Sequence, residues 1–140
     1  MTKLLLPVDG SQNANRAVSH AIEMSKAMPA TQLVVLNVQE QLERGYVHGL
    51  NSEAARAHLR QLGEEATAAA RRLLDEAGLV YQLLIVFGRP AEVITRVANE
   101  QKCSGIIMGT RGLGDVQSVF LGSTSYRVVH LADIPVTLVK

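Results

Sequence analysis

The chain has 140 residues, 47% of them hydrophobic and 19% charged, which excludes a disordered polymer and fits one domain, residues 1–140, with a real core. A net charge of +1 and 4% aromatics without Trp give no electrostatic or stacking case for nucleic acid or a membrane surface. Cys103 stands alone and cannot form an internal disulfide, and no apolar run approaches the roughly 18 residues of a membrane span. The apolar run in the opening MTKLLLPVDG is too short for a signal peptide, so a soluble, cytoplasmic protein is expected.

In chain order, Lys3-Leu4-Leu5-Leu6 reads as a first buried strand, with Pro7 more natural at its end than inside it. Asp9-Gly10-Ser11 is a turn, and Ser11 an N-cap. Ala14, Ala17, Val18, Ala21, Ile22 and Met24 form the stripe of an amphipathic helix that ends near Met28, before Pro29. Residues 33–38 make a second buried strand rich in β-branched residues. From Gln39 to Asn51 the pattern lapses, which predicts a loop.

Asn51 or Ser52 then caps a long helix with a stripe of Ala55, Leu59, Leu62, Ala66, Ala69, Ala70, Leu73 and Ala77, closed by Gly78. Its Glu64-Glu65 and Arg71-Arg72 pairs read as a solvated face. Leu79 to Val86 is a third strand. Gly88-Arg89-Pro90 opens a short helix lined inside by Ala91, Ile94, Val97 and Ala98, with Pro90 at the permitted first position. Ile106-Ile107-Met108 is a fourth strand. Tyr126, Val128, Val129, Leu131 and Ala132 recur at helical spacing, and Val136 to Val139 is a fifth strand after Pro135.

Strands alternating with helices predict a single open, doubly wound, mainly parallel five-stranded α/β sheet, Rossmann-like, with helices on both faces. Ligands in such folds sit at the carboxyl ends of the strands, near the switch point in strand order. Three loops leave those ends with informative residues: Pro7-Val8-Asp9, Val38, and the stretch from Gly109 to Ser123, GTRGLGDVQSVFLGS, with glycines at 109, 112, 114 and 122. Strand, glycine-rich loop and a helix opening with Ser123-Thr124 make a phosphate cradle, since glycine lets backbone N–H groups approach an anion and a helix N-terminus adds free donors. The same residues could instead form a merely tight loop, with Ser123 as N-cap. No G-x-G-x-x-G follows the first strand and no G-K-[ST] occurs, so neither the dinucleotide fingerprint nor a Walker loop is present.

The spacing Gly109-x2-Gly112-x9-Gly122-Ser123 resembles the nucleotide-binding motif of the universal stress protein family, in its ATP-binding branch. LLLPVDGS, VVLNV, GRPAEVITRVA, IIMGTRG and IPVTLVK extend the resemblance over the whole chain. It implies an adenine nucleotide, ATP with magnesium or manganese, as the cofactor. Asp9 then resembles the acidic residue near the adenosine, with Pro7 and Val8 shaping the wall and the backbone of Val38 at the adenine edge. Met108 and Gly109 would line the ribose and α-phosphate side, and Gly112 the turn of the loop around the phosphates. Gly122, Ser123 and Thr124 would hold the β- and γ-phosphates, with Arg111 a further phosphate partner. The resemblance also implies a homodimer in which two copies of the Val136–Val139 strand meet across a two-fold axis. The chain departs from the family pattern at Ser104-Gly105, where Asp-Leu is usual, and at Thr124, where a small apolar residue is common.

Other chemistry is less supported. His20, His48, His58 and His130 are scattered without metal-ligand spacing, and Cys103 reads as a small packed residue. Three functions stay open: a nucleotide-binding stress-response regulator signalling through unidentified protein partners, a slow ATPase or self-phosphorylating enzyme, and a dimeric interaction protein with an empty loop. No general base is evident, which favours the first. In the second, Ser123, Thr124 or Ser125 would accept the phosphoryl group and Asp115 would orient a water.

Overall fold

The computed structural model describes residues 2–40, 53–113 and 120–140. Its elements run β1 Lys3–Pro7, α1 Gln12–Ala27, β2 Gln32–Gln39, α2 Glu53–Glu76, β3 Tyr81–Phe87, α3 Pro90–Glu100, β4 Gly105–Gly109, α4 Ser123–Leu131 and β5 Val136–Val139. The strands form one parallel sheet in the order β3-β2-β1-β4-β5, the α/β arrangement expected from the alternation. The order reverses between β1 and β4, and there the ladder is short. Leu4 pairs with Gly105 and Leu5 with Ile106, while on the other side β1 pairs with β2 along its whole length. Pro7, which has no N–H to donate, is the last residue of β1.

Period-two alternation splits the central strands between two cores. Leu4, Leu6, Val8, Leu33, Val35 and Ile107 face α1 and α2. Leu5, Val34, Leu36, Ile106 and Met108 face α3 and α4. Leu5, Val35, Leu36 and Ile106 are fully buried, each stabilising the fold by roughly 1.5–3 kcal/mol relative to exposure. Cys103 packs in the second core, where burial raises its thiol pKa. No helix among the described residues is long and apolar enough to cross a membrane.

Three sequence expectations need correction. β3 starts at Tyr81, because Leu79 is tied back to the last turn of α2, its N–H donating to Leu74 O at 3.0 Å, and Val80 is 90% exposed. The inner face of α2 is Leu59, Gly63, Thr67, Ala70 and Leu74, while Leu62 and Ala77 face outward. Gly63 sits there because a Cβ would lie 2.5 Å from Ile85 Cγ2, so only a bare backbone lets helix and strand meet. Thr67 is tolerated there because its hydroxyl donates to the Gly63 carbonyl at 3.0 Å. On α4 the buried residues are Ser125 and Val128; Tyr126, Val129 and Leu131 are exposed. The residues that were to cap α2, and most of the 39–51 loop, lie outside the described residues.

Candidate functional site

A cavity of about 280 Å³ opens at the carboxyl ends of β1, β2 and β4. Pro7, Val8, Asp9, Val38, Met108, Gly109, Arg111, Gly112, Ser123 and Thr124 line it, ten of the eleven residues singled out in the sequence. Gly122 stands one residue behind as the N-cap of α4, buried, its N–H donating to Thr110 O at 2.7 Å. Gly114 and Asp115 lie outside the described residues. Further lining comes from Ser11, Ala14, Leu36, Glu40, Pro90, Ile94, Leu113 and Ser125. Sequence reasoning placed several of these as caps or core and stopped there, although their position at strand and helix ends signals the cavity as well.

One wall is apolar and the other is made of backbone and hydroxyls. Val8, Leu36, Val38, Pro90, Ile94 and Met108 offer a surface suited to a planar apolar ring. The rear of that wall is fixed by Asn37, which is 2% exposed: its Nδ2 donates to Val8 O at 2.7 Å and its Oδ1 accepts from Gln39 Nε2 at 2.7 Å. The start of α4 lines the same cavity. Its first helical bond runs from Tyr126 N–H to Gly122 O, and no side chain among the described residues caps it. The amides of Ser123, Thr124 and Ser125 therefore belong to the unpaired first turn, which carries the positive end of the helix dipole. The N-cap is Gly122 rather than Ser123.

The glycine stretch is anchored at its root. Thr110 N–H donates to Val139 O at 2.9 Å, Thr110 O accepts from Gly122 N–H, and Thr110 Oγ1 accepts from Asn13 Nδ2 at 3.1 Å. Asn13 Oδ1 in turn accepts from Arg16, whose Nε donates to the Lys140 backbone oxygen at 2.8 Å. The buried Ser125 hydroxyl donates to Gly109 O at 2.8 Å, so of the three expected phosphoryl acceptors this one is committed to holding the strand end. Gly109 has a second reason to be glycine. A Cβ there would sit 2.7 Å from Asn13 Cβ and 2.9 Å from the Asn13 carbonyl carbon, so α1 packs directly on its backbone.

Among the described residues, two carboxylates line the cavity. Asp9 Oδ1 accepts from Ser11 N–H and its Oδ2 from Leu113 N–H, both at 2.9 Å. Glu40 is exposed at the rim. Away from the cavity, Glu92 at the start of α3 pairs with Arg127 of α4; a backbone hydrogen bond and then this guanidinium hold its pKa below the usual carboxylate value. No group of three or more His, Cys, Asp or Glu side chains comes together among the described residues.

Comparison with known proteins agrees with the fold. A sequence model of the universal stress protein family matches residues 1–140. A universal stress protein of Thermus aquaticus, named for its place in a sulfhydrylase 3′ region, is 38% identical over 138 residues, covering 98% of this chain and 97% of its own. The solved structure of the hypothetical protein MJ0577 superposes with a TM-score of 0.86 at 27% identity, covering 99% of this chain and 95% of that one. A universal stress protein family member from Arabidopsis thaliana, solved with AMP bound, superposes at 0.70 with 21% identity, covering 100% and 91%. At that identity the last likeness speaks for the fold.

Proposed function

The chain belongs to the universal stress protein family, and from that premise we propose that it is an adenine-nucleotide-binding regulator of the stress response. The observation that carries the reading is that the uncapped start of α4 and a set of apolar side chains line one cavity. A nucleotide needs both sides at once: hydrophobic contact for the base, and oriented N–H donors with a positive dipole for phosphate. In this reading the base lies against Val8, Val38 and Ile94, with the Val38 backbone at its edge. The phosphates meet Gly112, Ser123 and Thr124, with Arg111 beside them and Gly122 setting the turn. Met108 and Gly109 line the passage between.

ATP with magnesium or manganese is the proposed form of the ligand. With both Asp9 oxygens accepting amide N–H bonds, the metal is held mainly through the nucleotide's own phosphates, as Mg²⁺ usually is. Regulation is favoured over turnover because the described lining carboxylates are the engaged Asp9 and the rim Glu40, and neither is placed as a general base at the start of α4. Calorimetric titration with ATP and magnesium is the test. Saturable binding is expected, and wild-type protein that shows none up to millimolar ATP overturns the reading.

We also propose a homodimer. β5 is an edge strand, and an unpaired edge invites a partner. Exposed apolar Tyr126, Val129 and Leu131 stand on the preceding helix α4. Light scattering should give twice the chain mass. Thr137→Lys, at an exposed edge position, should halve it; a monomeric wild type at tens of micromolar removes the proposal.

A further inference from the structure

Asn37 is a buried amide inside β2, and its hydrogen bonds decide how β1 and β2 separate at the cavity. The two strands stay in register from Lys3–Gln32 to Pro7–Leu36. In a parallel pair every second residue turns both its N–H and its C=O to the same neighbour. Leu36 faces β1, since its oxygen accepts the Val8 N–H at 2.8 Å. Gln39 faces β3, where its oxygen accepts the Gly88 N–H at 3.1 Å. Val38 therefore faces the β1 side, and one more rung would run from its N–H to Val8 O. Among the described residues that rung is missing. Val8 O accepts from Asn37 Nδ2 instead, at 2.7 Å.

The amide is fixed in that orientation. Asn37 is 2% exposed, and its Oδ1 accepts from Gln39 Nε2 at 2.7 Å, which leaves Nδ2 as the group turned to Val8. α2 passes over it with bare backbone, since a Cβ on Gly63 would lie 3.1 Å from Asn37 Oδ1. From this geometry we propose that Asn37 is a positioning residue for the base end of the site. Its side chain takes the carbonyl that would close the ladder, and so turns the Val38 N–H and C=O over to the cavity that Val38 lines. A donor and an acceptor side by side on one residue match a 6-aminopurine, whose ring N1 accepts beside an amino group that donates. Asn37 is not among the residues lining the cavity and acts through Val38. The proposal rests on the nucleotide reading above.

The first measurement needs no substitution. In the free protein the Val38 amide should exchange roughly tenfold faster than that of Leu36, two residues earlier in the same strand, and adenosine should slow it. Equal protection of the two amides without ligand means a closed ladder and overturns the proposal, as does no slowing by adenosine. Asn37→Leu, of similar volume, then removes the donor. Val8 O is left to the Val38 N–H, so exchange at Val38 should slow, the opposite of what loosened packing would give. Calorimetric titration should show adenosine weakened about fivefold, the worth of one ordinary hydrogen bond, and inorganic tripolyphosphate with magnesium changed by less than about twofold. Faster exchange at Val38, unchanged adenosine affinity, or equal losses for both probes each overturn it. Wild-type protein that binds neither adenosine nor magnesium ATP is a different failure, that of the nucleotide reading itself, and is recognised before any variant is made.

Discussion

α1 and α4 both begin where a central strand ends, one after β1 and the other after β4, yet they open differently. Ser11 caps α1, its hydroxyl accepting the Ala14 N–H, and Asp9 holds the turn before it. α4 opens on Gly122 with no side-chain cap. The protein closes the first start with its own side chain and leaves the second without one. The faces differ in the same sense. α1 buries seven of its 16 residues and α4 only two of nine. One helix is a wall against which the site is built. The other presents groups, at its N-terminus to the cavity and along its outer side to solvent.

If α1 is the wall, its seat on β4 should be the costliest contact to disturb. Gly109→Ala would press a methyl against Asn13 Cβ and the backbone of Asn13 and Ala14, at 2.7, 2.9 and 3.1 Å. Backbone cannot rotate away as a side chain can, so about 3 kcal/mol of stability should be lost, the upper end for overpacking. Urea unfolding measures it. A loss under about 0.5 kcal/mol, the ordinary scatter of surface changes, would show that α1 is not seated there and would break the contrast.

The caps themselves give the next, smaller effect. Ser11→Ala removes the side-chain N-cap of α1 and should cost about 1 kcal/mol. Ser123→Ala, at the corresponding opening of α4, removes no cap and should stay within about 0.5 kcal/mol. Equal losses at the two positions would mean that α4 is closed by Ser123 after all, and that its donors are not on offer.

How much of this was legible depended on whether hydropathy or hydrogen bonding decided a position. Strand order by type, the Ser11 cap, the Pro90 start of α3 and the crevice at the strand ends followed from pattern and turn chemistry. The inner face of α2 did not, because Gly63 and Thr67 are buried for reasons a hydrophobic stripe cannot register: absence of a side chain in one, a hydroxyl bonded to a backbone carbonyl in the other. Ser125 on α4 is the same case, buried because it holds Gly109 O. Leu79 and Val80 misled in the opposite direction. Leu79 packs against the first core from the end of a helix, and an apolar pair beside a strand reads as strand. The Asp9–Leu113 bond joins residues 104 apart and has no local signal at all.

The smallest effect is the sharpest test of the contrast. Gly122 has φ −65° and ψ 159°, an extended conformation open to any residue, so Gly122→Ser needs no backbone change. Its hydroxyl would accept from the second or third amide of the helix, Thr124 or Ser125, as Ser11 accepts from Ala14 in α1. Gly is nearly as good an N-cap as Ser, so the gain in stability should be a few tenths of a kcal/mol. An amide taken by that hydroxyl is no longer available to an anion. ATP binding should weaken by about threefold, the worth of one ordinary hydrogen bond, while adenosine binds unchanged. Opposite signs for stability and ATP affinity are what competition for the same donors requires. If the variant is stabilised and ATP binds as before, the amides of α4 serve the helix alone and the anion is held elsewhere.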